Sequence, residues 1–139
     1  LKWIFFMSVA LILITHDSIG SSLVETATGM LGINPVTTEV LAIRQNSDPE
    51  QICQQAEQLC QKIEQGDGIL VLTDMFGSTP SNIAKRLLDY GCKRIVITGI
   101  NLSMLVRVMN YPELSLSELA EKAKSGAQEG ILILDKSKN

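Results

Sequence analysis

A chain of 139 residues, 45% hydrophobic and 19% charged, suits one domain that buries roughly two-thirds of its unfolded surface in its own core. Its formal charge of −3 argues against a nucleic-acid backbone as partner, because phosphates need a basic face. One histidine and three cysteines with no CxxC pair argue against a zinc centre.

Cys53 and Cys60 lie seven positions apart on one helical stretch. Their Cα atoms would stand about 10 Å apart, beyond disulfide reach. Cys92 follows a glycine at the start of a strand. Reduced cysteines fit the cytoplasm, which is the expected location.

Behind Lys2, an apolar stretch runs from Trp3 to Ile14. It is shorter than the about 20 residues a membrane span needs. It ends in Thr15-His16-Asp17, not in a small-residue cleavage site. Residues 8–14 read as the first core strand of a single domain over residues 8–139. Residues 1–7 read as an N-terminal extension, with Met7 as a candidate native start.

From Ser21 to Leu31, Leu23, Val24, Ala27, Met30 and Leu31 recur at helical spacing, and Gly32 is a helix stop. Thr37–Ile43 is β-branched and apolar, which predicts a strand, and Arg44–Ser47 is a polar connection. Asp48-Pro49-Glu50 starts a helix with a cap, a first-position proline and an early acid. That helix runs to about Gln65 and stops at Gly66-Asp67-Gly68. Ile69–Leu72 is a short buried strand closed by Thr73-Asp74. A loop over 75–79 leads into a helix over Pro80–Tyr90, stopped by Gly91. Lys93–Thr98 is a fourth strand, and Gly99-Ile100-Asn101 turns into a helix over Leu102–Met109. After Tyr111-Pro112, Ser115-x-x-Glu118, with Ser117-x-x-Ala120 as the alternative frame, opens a last helix ending near Gly126. Ile131–Leu134 reads as a final short strand. The alternation predicts an α/β fold: a doubly wound, flavodoxin-like, mostly parallel sheet of order 2-1-3-4 plus a short C-terminal edge strand.

The chemistry follows from that order. His16 ends the first strand and Asp74 the third, and the two strands are neighbours about 4.8 Å apart at the point where the sheet reverses direction. Asp74 can take a proton from one ring nitrogen, fix the tautomer and leave the other nitrogen as a nucleophile. In the loop Met75-Phe76-Gly77-Ser78-Thr79-Pro80, Gly77 permits close backbone approach. Thr79 and Pro80 read as cap and first residue of a helix whose amides attract an anion, and Ser78 and Thr79 add hydroxyls. Each part also has a plainer reading. His16, Asp17 and Ser18 can be turn residues, Asp74 can cap its own turn, and Gly77–Pro80 can be an ordinary helix start. Phe76 reads as a loop anchor or a partner-facing group. Arg107 reads as a solvated or dimer-facing charge, and Met104, Leu105, Val108 and Met109 as core or subunit contact. It is the shared sheet edge that favours function.

These residues are similar to a known family. Ile14-Thr15-His16, the run Thr73-Asp74-Met75-Phe76-Gly77-Ser78-Thr79-Pro80-Ser81-Asn82, Gly99-Ile100-Asn101-Leu102-Ser103-Met104-Leu105 and Gly126–Leu134 resemble the enzyme IIA domain of the mannose/fructose-type bacterial phosphotransferase system (PTS). The resemblance covers about Ser8 to Leu134. It implies that His16 accepts a phosphoryl group from phospho-HPr and passes it to a IIB domain. Asp74 would be the ring's hydrogen-bond partner, and Thr79 stands where the family has a serine or threonine near the phosphate. No metal or organic cofactor is implied. The family is typically a homodimer in which the last strand crosses to the other subunit's sheet, a role that suits Ile131–Leu134. Membrane contact would come only through other PTS components, and sugar specificity and transport would lie on other chains. Where the family often has glycine after the histidine, this chain has Asp17, whose carboxylate would repel a phosphoryl group and is expected to point away or bond locally. The related dihydroxyacetone-kinase phosphocarrier carries an Asp-Leu-Gly-Ser type loop that this chain does not.

Two readings from other classes stand beside it. A receiver-like signalling domain would be phosphorylated on Asp74 with magnesium, but it wants two acids after the first strand and a lysine after the last. This chain offers Asp17 alone, with Lys136 poorly placed. The other reading is a non-catalytic dimeric binding module.

Overall fold

A computed structural model describes residues 8–91 and 93–137 of the chain. The expected extension over residues 1–7 and the strand-start cysteine Cys92 lie outside the described residues. The elements in chain order are β1 (Ala10–His16), α1 (Ile19–Leu31), β2 (Thr38–Ile43), α2 (Pro49–Ile63), β3 (Ile69–Thr73), α3 (Thr79–Arg86), β4 (Arg94–Ile97), α4 (Leu102–Met109) and α5 (Leu116–Glu129). A single 3-10 turn over Leu87–Asp89 closes α3.

The sheet is parallel with order β2-β1-β3-β4, as the alternation predicts. β1 lies in its interior with both faces covered, so its sequence is a continuous apolar run rather than an alternating one. Leu11 and Leu13 enter one core layer with Leu70 and Leu72, against Ala27 of α1, Met104, Leu105, Val108 and Met109 of α4, and Leu119 and Ala123 of α5. Ala10, Ile12 and Ile14 enter the other with Ile69 and Val71, against Ile52, Ala56 and Ile63 of α2 and Ile83 and Ala84 of α3. Cys53 and Cys60 are buried on α2 in this second layer. Each fully buried Leu or Ile contributes about 1.5–3 kcal/mol by leaving water, so the two layers fix which strand tips are neighbours.

Local signals set several boundaries as expected. Gly32 ends α1 with φ 80°, Asp48 caps α2 through the Glu50 N–H, and Ser115 and Glu118 form a reciprocal capping box on α5. That box also holds the Glu118 carboxyl below its ordinary value, through hydrogen bonds from the Ser115 hydroxyl and backbone. Other boundaries shift. β1 runs two residues past Ile14 and takes His16 into the strand. α1 starts at Ile19, because Gly20 packs its backbone against the strand end. The Gly20 N–H donates to Thr15 Oγ1 at 2.8 Å, and a Cβ there would lie 2.7 Å from that oxygen.

The final strand, expected to pair with the sheet of a second subunit, has no such sheet within one chain. Within this single chain Ile131–Leu134 pairs with nothing in the sheet, and all four side chains are exposed. A strand exists only where a neighbouring backbone supplies its hydrogen bonds, and among the described residues no strand of this chain pairs with the segment. No helix among the described residues is long and apolar enough to cross a membrane.

Candidate functional site

β1 and β3 pair in register through Ile14 and Thr73. The next position on β3 is Asp74, and its carboxylate takes over where the backbone ladder stops. Asp74 Oδ2 accepts the His16 backbone N–H at 3.0 Å and contacts His16 Nδ1 at 2.8 Å. One carboxylate oxygen thus clamps the ring to its own backbone. Asp74 Oδ1 accepts the Met75 N–H at 3.1 Å.

The electrostatics of this pair define the ring's tautomer. Burial, the largest single influence, pushes the Asp74 carboxyl upward; the hydrogen bonds from the His16 backbone and ring, with the attraction of the imidazole, bring it below its ordinary 3.8. An ionised carboxylate only accepts, so Nδ1 carries the proton that lies between them. In the neutral form of the ring Nε2 is then the lone-pair nitrogen. The His16 side chain is 42% exposed and that of Asp74 is 12% exposed, so the base is held from below and open from above.

The loop after Asp74 is shaped by internal bonds. Gly77 has φ 86°, a left-handed conformation natural to glycine. Its N–H donates to Ser81 Oγ at 2.9 Å, and Ser81 Oγ donates to Ser78 O at 2.9 Å. The Ser78 hydroxyl donates to Met75 O. The expected cap is displaced by one residue: Ser78 precedes α3, Thr79 is its first residue and Pro80 its second. Gly77 and Ser78, both expected to face an anion, therefore spend these donors inside the loop. Thr79 is exposed and its hydroxyl has no hydrogen-bond partner among the described residues. Phe76 is 81% exposed and packs as no anchor, and Met75 is exposed beside it.

Asp17 adopts φ 41°, the left-handed region where glycine is most at ease and aspartate is tolerated. Its carboxylate pairs across the strand ends rather than within its own turn: Arg44 Nη1 donates to Asp17 Oδ1 at 3.3 Å. Arg107 pairs with Glu129 across α4 and α5, away from this edge. Among the described residues no group of three or more His, Cys, Asp and Glu side chains converges as a metal site.

Reading the sequence missed three contributors. Ser81 holds the Gly77 loop, and a serine four residues after a loop glycine carries no distinctive pattern. The Ile100 N–H donates to Thr73 O at 3.1 Å and ties the β4 loop to the site. Thr73 Oγ1 is buried with no hydrogen-bond partner among the described residues.

Comparison with known proteins gives a consistent result. The family model EIIA-man, described as PTS system fructose IIA component, matches residues 10–124. The mannose-specific EIIAB component of the PTS from Escherichia coli (strain K12) is 26% identical over 130 residues, which is 92% of this chain and 40% of that protein. The chain therefore spans about 40% of the length of the curated relatives it matches. Among solved structures, the mannose/sorbose-specific IIA subunit of the phosphotransferase system from Enterococcus faecalis has a TM-score of 0.83 at 20% identity, covering 93% of this chain and 96% of that one. The phosphotransferase system component EIIA from Streptococcus agalactiae has a TM-score of 0.77 at 22% identity, covering 90% and 96%.

Proposed function

This chain belongs to the EIIA-man family of PTS IIA components, and from that premise we propose that it is a phosphohistidine carrier using His16. In this reading His16 Nε2 attacks the phosphorus of phospho-HPr. The new N–P bond forms as the donor's N–P bond breaks, with the electron pair returning to the donor ring nitrogen. No proton needs to move, since Nδ1 keeps its own against Asp74. Asp74 orients the ring and offsets the positive character it gains. A second displacement in the same sense delivers the phosphoryl group to a IIB domain.

The observation that carries this reading is the 2.8 Å contact between Nδ1 and Asp74 Oδ2 beneath an open ring. Thr79, first residue of α3, supplies an amide and a hydroxyl for the phosphoryl oxygens. Gly77 and Ser78 shape the approach. A receiver-like role for Asp74 has less support, because both carboxylate oxygens are engaged by His16 and Met75.

The same reading includes a homodimer. β4 is an edge strand beside a groove of about 530 Å³ lined by Ile95, Ile97, Met104 and Ile131. The exposed segment Ile131–Leu134 of a second copy would add a strand there.

The decisive experiment is labelling by phospho-HPr. The expected result is a phosphoryl label lost in acid and kept in base, absent from His16→Ala. Full labelling of His16→Ala, or a label lost in base and kept in acid, would overturn the reading. For the dimer, removal of residues 131–137 is expected to halve the mass in sedimentation equilibrium.

A further inference from the structure

The loops at the carboxyl ends of the strands comprise residues 17–18, 44–48, 74–78 and 98–101. Among these described residues there is one basic side chain, Arg44. It directly follows Ile43, the register partner of His16, and the Asp17 N–H donates to Ile43 O at 3.0 Å. Arg44 and Asp17 thus stand side by side, one position beyond the pair that contains the imidazole. Adjacent strands are about 4.8 Å apart, a gap that an arginine side chain spans.

The backbone here is tied by several hydrogen bonds and the side chains by one contact. The Ser47 N–H and hydroxyl both donate to Arg44 O, at 3.3 and 2.8 Å. The Arg44–Asp17 pair, by contrast, is a single 3.3 Å contact between side chains each about two-thirds exposed. Such a pair contributes little net stability. A phosphoryl group on His16 alters the competition. It offers up to two negative charges and three acceptor oxygens, which a planar guanidinium meets with two parallel bonds. The neighbouring carboxylate is at the same time repelled.

We propose that Asp17 and Arg44 form a charge switch: Asp17 holds Arg44 while His16 is unmodified, and Arg44 moves its hydrogen bonds to the phosphoryl oxygens once His16 is phosphorylated. The switch rests on the carrier reading of His16 and adds a phosphate-binding arginine and a carboxylate latch. No covalent bond changes in it. It also gives Asp17, at a position of left-handed backbone, a function in place of simple repulsion.

The test equilibrates the full chain with phospho-HPr and measures the equilibrium constant for phosphoryl transfer, a state function that docking rates cannot alter. Arg44→Gln is expected to lower that constant about tenfold, with the difference shrinking as salt rises. Asp17→Asn is expected to raise it severalfold. In protein with ¹⁵N-labelled arginine, the Arg44 side-chain NMR signal is expected to move on phosphorylation. In unphosphorylated Asp17→Asn it is expected to differ from that of the native chain. A merely structural arginine would show no such movement. If His16 carries the acid-labile label but the Arg44 signal stays in place and Arg44→Gln lies within twofold of the native chain, the switch is wrong and the carrier reading stands. If His16→Ala labels as well as the native chain, the carrier reading itself falls and the switch falls with it.

Discussion

Arg94 and His16 stand at opposite edges of one sheet, and each is held by a carboxylate. At the amino edge, Arg94 opens β4, is 2% exposed, and reaches Glu57 of α2, itself 17% exposed. Arg94 Nη2 donates to Glu57 Oε1 at 2.9 Å, and Nη1 donates to the other oxygen and to Leu87 O. The Glu57 carboxyl is held below its ordinary value, chiefly by the Arg94 hydrogen bond. Both terminal nitrogens are engaged, and the pair locks α2 and the turn after α3 onto the sheet. At the carboxyl edge the contact is as short, but only one ring nitrogen has a partner among the described residues and the side chain is 42% exposed. Among the described residues that edge also carries both non-glycine residues of positive φ, Asp17 and Asn46, and the partnerless Thr73 hydroxyl. The difference teaches where this molecule locks its elements together and where it leaves side chains open to solvent. The Arg94 edge is tied by charge-assisted hydrogen bonds; the other carries non-glycine residues of positive φ and a part-exposed imidazole, the pattern the proposed function uses.

Breaking each side of this contrast gives distinct outcomes. Arg94→Ala strands Glu57 beside the core and is expected to cost about 3–5 kcal/mol, read as a lower urea midpoint. The phosphoryl label per folded molecule is expected to stay unchanged, because the site lies at the far edge. Asp74→Asn keeps the shape but removes the ionised acceptor that fixes the Nδ1–H tautomer. Phosphorylation by HPr is expected to slow about 100-fold, with the far-ultraviolet spectrum unchanged. The same variant tests the linkage sign. The folded Asp74 carboxyl lies below 3.8, so its contribution to stability is present above that pH and disappears as pH falls through the folded value. Asp74→Asn is therefore expected to lose that part of the acid-side decline and keep the rest. The smallest effect is Thr73→Val, which replaces an orphaned buried hydroxyl by a methyl group of the same shape. It is expected to stabilise the chain by about 1 kcal/mol, seen as a higher melting temperature. A loss of stability there would show that the hydroxyl has a partner in solution and that the carboxyl edge is less strained than its geometry indicates.

Much of the fold was legible because it is written in local patterns. An unbroken apolar run ending at His16 marks an interior parallel strand. Asp48-Pro49 and Ser115-x-x-Glu118 mark helix starts, since capping chemistry acts within three residues. The His16–Asp74 pairing could be anticipated because the first and third strands are neighbours in the flavodoxin-like order and right-handed crossovers put their carboxyl ends on one edge. Loop detail was not legible. Whether the Gly77 N–H faces an anion or Ser81 Oγ depends on the path of a six-residue loop, and that path answers to packing. Arg44 read as one more polar residue in a connection until the sheet set it beside Asp17.

The sequence by itself determined the alternation of strands and helices, the helix boundaries near their caps, and a histidine and an aspartate at two strand tips. These follow from hydrophobic periodicity and hydrogen bonding over a few residues. Only the tertiary structure decided which donors stay available at the carboxyl edge, that Asp17 is latched by Arg44, and that Ile131–Leu134 has no neighbour within its own chain. Those outcomes depend on backbones far apart in sequence competing for the same hydrogen bonds, and no local pattern encodes the winner.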